Sequence, residues 1–172
     1  MEEPLYTAIK AQIKTEVPEC KFIAMWNNQV ERLQEGKDYS FLTPAVLIEF
    51  PVDAPCDQVG NGVRVFDPYP IIFHIVDNRL DNYDGTMEEN FEVFRVKQKV
   101  YKAFQLFKTP GSSSFNCTSE GADNDHNNVY HFLQTFTTTW TDRQQNLPVG
   151  GYEDLPPHTT TITPVIGPVA QP

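Results

Sequence analysis

Four histidines are the side chains of this 172-residue sequence best suited to acid–base or metal chemistry. His126 and His131 stand five apart across a turn and the start of a strand, close to Asp123 and Asp125. Such a group could hold a metal or pass a proton, as in a small metal-dependent hydrolase. Ligand pairs on one strand, however, favour a spacing of two, which puts both side chains on the same face. His74 lies in an apolar strand, where a hydrogen-bonded core or edge histidine is expected, and His158, in a Pro/Thr tail, is expected to be exposed. Asp123-Asn124-Asp125-His126-Asn127 places oxygens at alternate residues like the opening of a calcium loop. Its sixth position is Asn128 where that loop needs Gly, and its twelfth is Gln134 where it needs Glu, so a polar hairpin turn is expected. Asp77 and Asp81 belong to a solvated turn rather than to an apolar setting that would shift a carboxylate. The three cysteines, Cys20, Cys56 and Cys117, form no C-x-x-C and read as idle thiols. Phosphate-cradling loops, nucleophile elbows and H-E-x-x-H helices are missing from the sequence. No catalytic residues, metal or cofactor are expected, and the chain reads as a protein other than an enzyme.

Composition narrows the classes further. Hydrophobic residues make up 40% of the chain, enough for one sizeable core. A formal net charge of −10 argues against affinity for nucleic acid or anionic lipid. No apolar run reaches the roughly 18–20 residues needed to span a bilayer, and the start lacks the pattern of a signal peptide, so a soluble protein made in a cytoplasm is expected.

The elements that would position these side chains follow from periodicity. Leu5, Ile9 and Ile13 predict an amphipathic helix from Pro4 to about Glu16. Residues 21–26 read as a strand that extends towards Leu33. The run Pro44–Phe50 is apolar enough for a strand covered on both faces, and 63–76 is a second, interrupted by Pro68 and Pro70. Together they predict an antiparallel pair joined by a long loop, 51–62. After an acidic linker, Thr86 and Glu89 form a capping box for a helix over about 87–108. A weak strand over 113–120 and a polar turn over 121–128 come next. From Val129 to Thr141 the chain alternates, with Tyr130, Phe132, Phe136 and Trp140 on one parity and His131, Thr135, Thr137, Thr139 and Thr141 on the other. Six prolines in residues 143–172 leave an extended or disordered arm. The fold class is therefore α+β, an antiparallel or mixed sheet of four to five strands with two helices packed on one face. The domain spans 1–142 and the Pro-rich arm 143–172. The threonine parity and the apolar arm residues Leu147, Val149, Tyr152, Leu155, Ile162, Val165 and Ile166 look suited to a neighbouring subunit.

The order of elements, the strand pair Pro44-Ala-Val-Leu-Ile-Glu-Phe50 and Ile71-Ile-Phe-His-Ile-Val76, the acidic linker with Asp77, Asp81 and Asp84, and the strand Val129-Tyr-His-Phe-Leu-Gln-Thr-Phe136 resemble the tail-terminator (tail-completion) proteins of tailed bacteriophages. The resemblance covers about residues 1–142. It implies a structural virion protein of the phage neck, a ring, hexameric in that family, that ends tail-tube polymerisation and meets the head connector or head-completion protein. By position, the tube-facing loop would present Asp53, Asp57, Gln58, Asn61 and Arg64. An acidic ring wall would let DNA pass without sticking. Other neck or head-completion proteins are the near alternative.

Overall fold

The computed structural model of the chain describes residues 3–34, 41–60, 62–78, 92–125 and 129–143. Leu5, Ile9 and Ile13 recur every fourth residue and form the buried stripe of helix α1 (Glu3–Glu16), with Pro4 in its first turn where no backbone donor is needed. Strand β1 (Phe22–Met25) follows. It does not continue towards Leu33 as expected. Asn28 adopts a left-handed φ of 53°, and Gln29–Gln34 form a short helix, α2. The Gln29 side chain ties this corner together, accepting from the Asn27 amide and donating to the Met25 carbonyl, both at 2.6 Å.

Strands β2 (Ala45–Glu49), β3 (Cys56–Gln58) and β4 (Val63–Asn78) build the centre of the sheet. The expected β2–β4 antiparallel pair is present, with Leu47 opposite His74. The connection is not simply a loop, because Cys56–Gln58 pair antiparallel with Arg64–Phe66, and only part of 51–62 is irregular. Pro68 and Pro70 cannot donate to a ladder, and the β4 register shifts between Phe66 and Tyr69, as the prolines require.

Helix α3 spans Glu92–Phe104, and residues 87–91 of the expected helix lie outside the described residues. It stops short of 108 because the chain turns into sheet-like pairing. Leu106 has φ 65°, its amide donates to the Phe115 carbonyl, and the Phe115 amide donates to the Phe107 carbonyl, both at 2.9 Å. Strand β5 (Asn116–Asp123) begins and ends three residues later than expected, so Gly121–Asp123 belong to the sheet rather than to the turn. Strand β6 (Val129–Arg143) runs two residues beyond Thr141 and crosses the expected domain boundary at 142. Gly111 seats the neighbouring loop against it, with φ 89° and a carbonyl that accepts from the Thr141 amide at 2.7 Å. A Cβ there would meet the Thr141 oxygen at 3.0 Å.

Among the described residues the sheet has six strands, in the order β1-β2-β4-β6-β5 with β3 paired to β4, and only β1–β2 is parallel. Its two faces differ. Helices α1 and α3 cover one, where Val46, Ile48, Ile71, Phe73, Ile75 and Phe136 pack with Leu5, Val96 and Phe104. Phe73 stacks on Phe104 at 4.5 Å between centroids and meets Phe136 edge-on at 5.5 Å. On the other face, Ala45, Leu47, Val76 and Val129 gather around Val30 of α2, so the third helix lies opposite the two expected ones. Among the described residues, no helix is long and apolar enough to cross a membrane.

Candidate functional site

On the α2 face, strand alternation places four polar side chains along one diagonal of the sheet. His131 lies opposite Val76 and Asp123 opposite His131, while His74 lies opposite Leu47, two residues from Glu49. Side chains two residues apart share a face, so Glu49, His74 and His131 meet as diagonal neighbours. His74 Nε2 is 2.8 Å from Glu49 Oε2, His74 Nδ1 is 2.9 Å from His131 Nε2, and His131 Nδ1 is 3.0 Å from Asp123 Oδ2. This chain of groups crosses β2, β4, β6 and β5.

Trp26 roofs the two imidazoles, its ring nearly parallel to His74 at 3.9 Å and 28° from His131 at 5.6 Å. The Trp26 amide donates to the Ile48 carbonyl at 2.8 Å, which extends the β1–β2 pairing and fixes the ring over β4. Both histidines are 3% exposed, whereas the carboxylate side chains at the ends are 35% (Glu49) and 28% (Asp123) exposed. Burial pushes the His74 imidazole below its ordinary value, against the pull of Glu49 and Asp123. Glu49 borders a surface depression of 420 Å³ together with Met25, Trp26 and Val52, and Asp123 and His131 border one of 130 Å³ on the far side.

The hydrogen-bonded core histidine expected at position 74 is present. His131 takes His74 as its ring partner, and His126 lies outside the described residues. Among the described residues no group of three His, Cys, Asp or Glu side chains is placed to hold a metal. Asp123 Oδ1 accepts from the Asp125 amide at 3.0 Å, the turn geometry expected of this segment. The sequence reading missed the pairing of two histidines 57 residues apart. The signal for it was their polar placement on two long strands, and only the β4–β6 register could join them.

The expected interface residues are distributed differently. Asp53, Asp57 and Gln58 are exposed around β3, together with Val52 and Val59. Arg64 is instead drawn inward, paired with Asp142 across β4 and β6 and lying over the Phe66 ring at 5.9 Å. Asp77 falls within β4 rather than in a linker. Asn61, Asp81, Asp84 and the arm residues Leu147, Val149, Tyr152, Leu155, Ile162, Val165 and Ile166 lie outside the described residues. Thr135, Thr137, Thr139 and Thr141 are half-buried on the face away from α1 and α3, with Thr139 Oγ1 donating to Asp67 at 3.1 Å. Cys20, Cys56 and Cys117 are free thiols, and burial pushes Cys20 and Cys117 upward. The fold class is α+β with a mixed sheet. No family model matches the chain, and no curated protein matches it.

Proposed function

We propose that the chain is a structural protein of a tailed-bacteriophage virion, assembling in the host cytoplasm into a ring, hexameric by family resemblance, that ends the tail tube and joins it to the head connector. The observation that carries this reading is the arm formed by β3 and the start of β4. Residues Cys56–Gly60 are all exposed, Val52 and Val59 offer apolar contacts, and Asp53 and Asp57 offer charge, in the place the resemblance gives to the tube-facing loop. The N-terminal helix α1, the β2–β4 antiparallel pair and the long strand β6 are among the elements on which the resemblance rests. Partners are then further copies of the chain, the tail-tube protein and a head-completion protein, with DNA passing through an acidic channel. A head-to-tail contact that closes on itself gives a ring rather than a fibre.

Native mass spectrometry and negative-stain images of the full chain, alone and with tail-tube protein, test the proposal. A closed ring capping tubes supports it, and a persistent monomer without affinity for tube protein overturns it. Rings that bind only head-side proteins would favour another neck or head-completion protein. The hydrolase reading has less support, because both ring nitrogens of His131 already face His74 and Asp123.

A further inference from the structure

Counting protons along the Glu49–His74–His131–Asp123 chain gives an uneven result. Three contacts of 2.8, 2.9 and 3.0 Å need three protons, one in each gap. Two neutral imidazoles bring one N–H each. With two protons, one gap sets two lone pairs against each other in a buried site, nitrogen against carboxylate oxygen at an end or nitrogen against nitrogen in the middle. With four, both nitrogens in the middle gap carry hydrogen and the rings repel. Three protons satisfy every gap.

We propose that these four side chains form a proton-binding site that holds one imidazolium and one neutral imidazole in the folded protein at neutral pH. The surroundings favour this state. Glu49 from β2 and Asp123 from β5 are the charged groups facing the pair among the described residues, and they lie at its two ends. The β1–α2 corner contributes the Trp26 face, which lies 5.6 Å from the His131 ring and attracts a cation there, and the aliphatic Val30, while Glu31 of α2 is exposed. Asp125 offers Asp123 its backbone amide. In the proposed state His74, which burial holds below its ordinary value, is the neutral ring, donating from Nε2 to Glu49 and accepting at Nδ1 from His131. His131 then donates from both nitrogens. The partly exposed carboxylates, each bordering its own depression, give the proton a route to solvent at either end. The site therefore senses pH in both directions. A fourth proton breaks the ring–ring bond, and loss of the third leaves one of the three gaps without a hydrogen.

Nitrogen NMR of histidine-labelled full-length protein tests this directly, with His126→Gln and His158→Gln assigning the other two rings. At pH 7.5 one buried imidazole should show both nitrogens protonated and the other a single N–H. Two neutral rings would overturn the proposal. Asp123→Asn sharpens the test, because its amide can donate to His131 Nδ1 and supply the third proton without charge, while its oxygen keeps the Asp125 amide. That variant should fold, lose the imidazolium signal at pH 7.5, and lose a stability decline of up to tenfold in the folding constant per pH unit above neutrality. An unchanged decline in Asp123→Asn would also sink the idea.

Discussion

The two faces of the sheet solve the burial problem by different means. The α1/α3 face is filled with interlocking apolar and aromatic side chains whose packing is insensitive to pH and to partners. The α2 face carries a small apolar patch, a buried polar chain whose every gap requires a proton, and a stretch of half-buried threonines. One face stabilises the domain, and under the proposed function the other offers surface to a neighbouring copy. A chain with a single core can do both, because alternate residues of each strand answer to different faces.

The contrast is broken most forcefully from the helical side. Phe73→Ala should cost about 3–5 kcal/mol of unfolding free energy, read from urea denaturation, since it empties the centre of a fully buried aromatic cluster. On the opposite face His131→Leu should cost less, about 1–3 kcal/mol, by removing the ring that bridges His74 and Asp123. A loss as large as that of Phe73→Ala would mean that the polar chain, not the aromatic cluster, dominates the core.

Acid should act on the polar chain and not on the aromatic cluster. Because burial lowers the His74 value, the unfolded chain takes up the proton first. The histidine's contribution is complete above its ordinary value near 6.5 and is lost as the pH falls from there towards the lowered folded value. Denaturation midpoints of the parent and of His74→Gln should therefore converge on acidification, whereas Phe73→Ala should stay offset from the parent by a constant amount. A smaller change is expected from Arg64→Gln, about 1 kcal/mol, since the partly exposed Arg64–Asp142 pair is screened by solvent. The smallest effect on folding belongs to Thr137→Arg, within about 0.5 kcal/mol, yet a charge on the threonine face should abolish ring formation in native mass spectrometry. Rings that form normally would remove this face from the proposed contact.

What could be read from the sequence was whatever depends on short spacing. The stripe Leu5, Ile9, Ile13 defined α1, the unbroken apolar run 45–48 marked a strand buried on both faces, and the alternation from Val129 onward separated Phe136 and Trp140 from the threonines. Local reading failed where a neighbouring strand overrode it. Cys56–Gln58 have little strand character and pair because β4 presents an open ladder, and residues 106–107 leave the helix to pair with Phe115. The site shows the same division. Sequence alone determined that His74 sits in an apolar strand and that His131 belongs to the polar parity of another. Only the tertiary structure, through the β4–β6 register and the Trp26 corner, decided that the two rings would share a proton, because a contact between residues 57 apart is set by strand pairing and not by spacing along the chain.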